Sequence, residues 1–193
     1  MYKLILASQS PRRRDFLKNM GLEFEIYEAC IDEKVDDGEL VGPYVVRMAS
    51  KKADTVIKEH TDAVVIGADT VIALEGRILG KPKDREDALN MILSLSGKRH
   101  EVHTAVCVRD SDRKCIVQTV TYVTFANISK ELAQIYVDSG ECDDKSGSYA
   151  LQGIGAMLIE KVEGSVSSVV GMPASQTREL LEKFGIYPKT VKV

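Results

Sequence analysis

The 193-residue sequence has no apolar stretch approaching the roughly 18 residues of a membrane-spanning helix, which excludes that class of protein. Its four cysteines, Cys30, Cys107, Cys115 and Cys142, form no C-x-x-C pair. Its three histidines, His60, His100 and His103, show no metal-ligand spacing, so no zinc site is expected and the thiols read as reduced. There is no charged tail: 26 Lys and Arg are interspersed with 29 Asp and Glu, for a net charge of -3. A protein that coats nucleic acid would be strongly basic, and this one is not. No G-x-x-x-x-G-K-[ST] phosphate loop occurs and no G-x-S-x-G elbow, and the serines of GSVSSVVG have no base placed beside them. The opening MYKLILASQS has too short an apolar run for a signal peptide. The expectation is a soluble, cytoplasmic protein with neither nucleic acid nor membrane as partner.

What is present is a globular composition, 44% hydrophobic and 28% charged. Tyr2 to Ala7 reads as a buried strand, and Ser10 and Pro11 as the cap and first position of a helix reaching about Asn19. Leu22 to Ala29 reads as a second strand, followed by an acidic loop with Asp32, Glu33, Asp36, Asp37 and Glu39. Pro43 opens a longer helix. Ala63 to Ile66 reads as a strand that ends in a small-residue turn, "GADT", and the segments around "EGR" read as a hairpin. Asp84 to Ser94 is helical; His100 to Val108 and Cys115 to Phe125 form a long antiparallel ribbon; Ser129 to Ser139 is helical. Ser146 to Gly155 reads as a loop or strand near a site, Ala156 to Val162 as a strand, and Pro173 to Phe184 as the last helix. The fold class is α/β with α+β character: a mixed twisted sheet with flanking helices. Any break into lobes is expected near Gly97 or Asn127.

Five constellations carry chemistry. In "SQSPRRR" a strand runs into a helix start, where free backbone N–H groups and the helix dipole attract anions. Arg12, Arg13 and Arg14 oppose that dipole unless an anion neutralises them, and arginine forks onto phosphate. Helical spacing still sends at least one of the three to solvent. Asp69 at the end of a buried strand lies where α/β sites collect, although an Asp there also serves as an ordinary turn residue. Lys81 in "GKP" is a point charge suited to phosphate, and equally a surface turn. Glu33 together with Asp69 would suit Mg²⁺, which takes one or two carboxylates plus substrate phosphates; the other acids of the loop read as solvated. In "SGSYALQG", Gln152 offers an amide that both donates and accepts, which suits the edge of a base; the stretch reads equally as a strand with glycine-rich ends.

Taken together, "LILASQSPRRR", "VVIGADTVIALEGRILGKP", "LSGKRHEVHTAV" and "DKSGSYALQGIGAMLIEKVEGSVSSVVGMP" resemble the Maf family of nucleoside triphosphate pyrophosphatases, from Leu4 to Leu181. The resemblance implies one Maf-like domain over 1–193, folded like the inosine triphosphate pyrophosphatases with two lobes around a deep cleft, and a homodimer. It implies hydrolysis between the α- and β-phosphates of a nucleotide with a divalent metal, Mg²⁺ or Mn²⁺, as a housecleaning activity. Ser8, Arg12, Arg13, Lys52 and Lys81 match the phosphate-binding positions. Glu33 matches the acid after the second strand and Asp69 the proton acceptor, and both are the implied metal ligands. Arg12, Thr70 and Gln152 match the subgroup acting on dTTP and UTP on all three specificity positions. The alternatives are the 7-methyl-GTP enzymes of the same family, or a nucleotide-binding regulator of septum formation with little catalysis.

Overall fold

The structure, a computed structural model, describes residues 3–189; Tyr2, the first residue of the first expected strand, lies outside them. Thirteen elements place the site. β1 (Lys3–Leu6) runs into α1 (Pro11–Asn19). β2 (Glu25–Ile26) is a two-residue edge strand, shorter than the Leu22 to Ala29 run, because both of its residues face outward and pairing with β1 covers only one side. α2 (Val41–Ile57) starts two residues before Pro43, which falls in the first turn where a missing N–H leaves no intrahelical bond unmade.

β3 (Ala63–Leu74) corrects the expected turn: "GADT" lies in the middle of one unbroken 12-residue strand. The small residues serve close helix packing rather than a change of direction. The hairpin to β4 (Arg77–Leu79) turns through Glu75 and Gly76, with φ of 52° and 77°, the backbone signature of a type I′ connection. α3 (Arg85–Leu95) and α4 (Lys130–Asp138) are capped by the side chains of Asp84 and Ser129, which accept from the N–H groups of Asp87 and Leu132. Between them run β5 (Arg99–Arg109) and β6 (Lys114–Phe125), the expected ribbon. Two 3₁₀ turns, Ser146–Ser148 and Gly153–Leu158, precede β7 (Ile159–Glu163), so the last strand starts later than Ala156. α5 (Val166–Val170) was not visible in the sequence pattern; α6 (Ala174–Glu182) was.

The strands form a seven-stranded sheet of order β2-β1-β3-β5-β6-β7, with β4 paired to β3. It is mixed, as expected: β1 is parallel to β2 and β3, whereas β3–β4 and β6–β7 are antiparallel. The chain divides into two compact units, one of residues 1–69, 104–119 and 171–193, the other of 70–103 and 120–170. The boundaries fall inside β3, β5 and β6, and not at Gly97 or Asn127, because strands of 11 and 12 residues are long enough to give one half to each core.

In the first unit, Leu4, Leu6, Val64, Ile66 and Ala68 pack with Leu17 of α1 and Leu180 and Leu181 of α6. Strand periodicity turns residues 65, 67 and 69 to the other face, toward α2. In the second unit, Ile72, Ile92, Phe125 and Tyr136 belong to a separate core. Within it, His100 Nε2 pairs with the Tyr149 hydroxyl at 2.8 Å, and both rings meet Phe125 edge-on. All four cysteines are free thiols.

His100 is 2% exposed, and burial pulls its pKa down to about 4. The unfolded chain takes up that proton near pH 6.5 while the folded one does not, so stability is lost as pH falls from about 6.5 to 4. The loss reaches on the order of 3 kcal/mol across that window. Urea midpoints at pH 7.5 and 4.5 should lie closer together for His100→Gln than for the parent; an equal separation would remove His100 from the acid sensitivity.

Candidate active site

Gly67 decides the geometry of the first unit. A Cβ on it would lie 2.2 Å from the Ala49 carbonyl oxygen and 2.7 Å from the Ala53 nitrogen, so α2 rests on the backbone of β3. That approach sets Lys52, on the helix, opposite Asp69, two residues further along the strand face. The Lys52 Nζ donates to Asp69 Oδ1 at 2.7 Å and stands 2.7 Å from Glu33 Oε1. Two carboxylates therefore converge on one ammonium, leaving one negative charge uncompensated within the triad. They are not equivalent: the Asp69 side chain is 11% exposed and the Glu33 side chain 49%. Asp69 is held in the fold and largely enclosed, and Glu33 faces solvent from a loop.

That loop is fastened more firmly than its composition suggests. The Tyr44 hydroxyl donates to the Glu33 carbonyl at 2.8 Å, and Arg47 Nη2 donates to the Lys34 carbonyl at 3.0 Å. Arg47 also forks onto both oxygens of Glu39, which corrects the reading of Glu39 as merely solvated. Tyr44 and Arg47 are three apart on α2 and so share a face. Burial, reinforced by the charges of Asp69 and Glu33, pushes the Tyr44 phenol up to about 12, so it stays a donor at neutral pH. The Glu39–Arg47 fork was the missed signal: a helix arginine eight residues after an acid-rich loop.

At the opening of α1, Ser10 occupies the cap position but its side chain does not cap the helix. Its N–H instead donates to Ser8 Oγ at 3.2 Å, and Arg13 Nη1 donates to the same oxygen at 3.1 Å. Arg13 Nε donates to the Gly171 carbonyl at 3.1 Å. Burial pulls the Arg13 guanidinium below its ordinary value, opposed by the charges of Asp69 and Glu33, while Arg12 adds to the lowering. Ser8, Arg13, Lys52, Glu33 and Asp69 thus share one electrostatic neighbourhood. Arg12 is half-buried beside them; Arg14, also half-buried, leans toward Asp15 at 3.7 Å.

Thr70, Lys81 and Gln152 belong to the second unit. Lys81 is exposed in the bend after β4, next to Gly80, whose carbonyl accepts from the Gly147 N–H at 2.9 Å. Ser146 Oγ takes the Ile72 N–H at 3.1 Å and donates to the Leu79 carbonyl at 2.5 Å. The "SGSY" segment is therefore stitched to the β3–β4 hairpin, and Gln152 follows it, exposed.

Among the described residues no three His, Cys, Asp or Glu side chains form a metal cage. Glu33 and Asp69 supply two hard oxygen donors already converging on a cation, which fits a magnesium-type ion that completes its shell with substrate phosphates and water.

Comparisons with known proteins span nearly the whole chain. The family described as Maf-like protein matches residues 3–184. A dTTP/UTP pyrophosphatase of Anaeromyxobacter dehalogenans (strain 2CP-1) is 46% identical over 187 residues, covering 95% of this chain and 94% of that protein. One of Desulforamulus reducens is 42% identical over 188 residues, covering 96% and 98%. Among solved structures, the Ham1 protein of Staphylococcus aureus overlaps 89% of this chain and 85% of its own at 14% identity, with a TM-score of 0.48.

Proposed function

The chain belongs to the Maf-like protein family, and from that premise we propose that it hydrolyses dTTP and UTP to the monophosphate and pyrophosphate. Its curated relatives carry that activity in their names over nearly their whole length. The observation that carries the reading is the buried Asp69, held at 2.7 Å by a lysine that also binds Glu33, in the electrostatic neighbourhood of Arg13.

In this reading Ser8, Arg12 and Arg13 receive the phosphates at the start of α1, where N–H groups and dipole add to the charge. The third donor of the Lys52 ammonium and the Lys81 ammonium complete the grip. Asp69 orients the attacking water and accepts its proton; Glu33 shares the divalent cation with it. A bound Mg²⁺ or Mn²⁺ would offset charge on the phosphate oxygens as the bond breaks. Arg12, Thr70 and Gln152 read the base. A neutral amide pairs with the O4 and N3–H of thymine or uracil, where a cationic methylated guanine calls for a carboxylate. The remaining parts of the reading, a single domain over 1–193 acting as a cytoplasmic homodimer in nucleotide housecleaning, rest on the family alone.

One panel tests it: pyrophosphate released from dTTP, UTP, dCTP and 7-methyl-GTP, with Mg²⁺, Mn²⁺ or chelator. The expected result is metal-dependent turnover of dTTP and UTP well above the other two. Preference for 7-methyl-GTP would move the chain to the other subgroup, and binding without release would make it a regulator.

A further inference from the structure

We infer that Glu141 is a positioning residue for Gln152, a role that rests on Gln152 reading the base. Gln152 is exposed, in an extended conformation with φ of -92° and ψ of 153°. An exposed amide on a free loop samples many directions, and ordering it on binding costs conformational entropy. This loop is ordered in advance, from both sides. Two residues before Gln152, the Ala150 N–H donates to the hydroxyl of the fully buried Tyr136 at 3.2 Å. Two residues after it, the Ile154 N–H donates to Glu141 Oε1 at 3.1 Å, and the Gly155 N–H to Glu141 Oε2 at 2.7 Å.

One carboxylate thus satisfies two successive donors at the start of the 3₁₀ turn that follows Gln152, a task for an acceptor-only group with two oxygens. The fit leaves no slack. Gly153 takes φ of 79°, and a Cβ on it would stand 1.9 Å from Glu141 Oε1. A Cβ on Gly155 would meet the Ala150 carbonyl at 2.4 Å and the Tyr136 hydroxyl at 3.0 Å. Glu141 is itself held: its N–H donates to Ser139 Oγ at 3.3 Å, and its carbonyl accepts from Lys145 Nζ at 2.6 Å. Gln152 therefore stands on a strut that runs from the end of α4.

The test compares kcat/KM for dTTP and dCTP in the parent, Glu141→Gln, Gln152→Ala and the double variant. A ratio taken on one preparation is insensitive to any loss of folded protein. Glutamine at 141 keeps the shape but brings an NH₂ against one of the two N–H donors. The dTTP-to-dCTP ratio should fall about tenfold in Glu141→Gln, mainly through KM for dTTP, as a displaced pairing group predicts. In the double variant the ratio should be no lower than in Gln152→Ala alone. Equal losses on both nucleotides, or an additive double variant, would show a role in folding only and overturn the inference while leaving the base-reading role of Gln152 in place. An unchanged ratio in Gln152→Ala itself would overturn that role and this inference with it.

Discussion

Asp69→Asn should leave the fold intact and lower turnover of dTTP and UTP by about 10²–10⁴-fold, the range associated with losing a positioned base. The fold survives for a local reason. Stranding a buried charge usually costs about 3–5 kcal/mol. Here Lys52 Nζ keeps Glu33 at 2.7 Å, and the asparagine oxygen still accepts from it where Asp69 Oδ1 did. No volume is removed, so no cavity opens. What disappears is the proton acceptor and one anionic cation ligand, because an amide takes up no proton at neutral pH. The two carboxylates and one ammonium become one of each, which also weakens the hold on a divalent ion. Pyrophosphate release with added Mg²⁺ or Mn²⁺, beside a thermal melt of the same sample, separates the two effects. A stable variant that releases pyrophosphate at the parental rate would end the assignment of Asp69 as base.

Much of this site was legible in the chain, and the rest was hidden for physical reasons. The strand running into an arginine-rich helix start was readable because cap, proline and charge are local signals at Ser10, Pro11 and Arg12 to Arg14. Asp69 was picked out on a mistaken local structure. Gly67 and Ala68 resemble a turn in a one-dimensional reading, because the same absence of side chain that permits a turn also permits a helix to lie against a strand. The convergence of Glu33 and Asp69 on Lys52 depends on contacts across 19 and 17 positions of chain, which no periodicity encodes. Glu39 was misread for the same reason: its partner Arg47 lies on a helix whose facing side is set by packing. The short α5 escaped because a run of valine and serine favours strand by propensity, and only five residues are helical.

Gly67→Ala is the sharpest test of how that packing builds the site. The added methyl carbon would stand 2.2 Å from the Ala49 oxygen, 2.7 Å from the Ala53 nitrogen and 3.0 Å from the Ala53 Cβ. The two nearest atoms are backbone, so no rotamer change relieves the clash; α2 must move away from β3. Overpacking of this kind costs about 1–3 kcal/mol, and the upper end is expected because a 17-residue helix has to shift as a body. For a chain of this size that corresponds to roughly 6–12 °C in Tm. The same displacement carries Lys52 away from Asp69, so turnover should fall even at temperatures where the variant is fully folded. Ala53→Gly in the Gly67→Ala background removes the 3.0 Å side-chain contact and leaves both backbone contacts in place. It should therefore restore neither stability nor rate. Full rescue by Ala53→Gly would mean that side-chain crowding, and not the seating of α2 on the strand, accounts for the glycine.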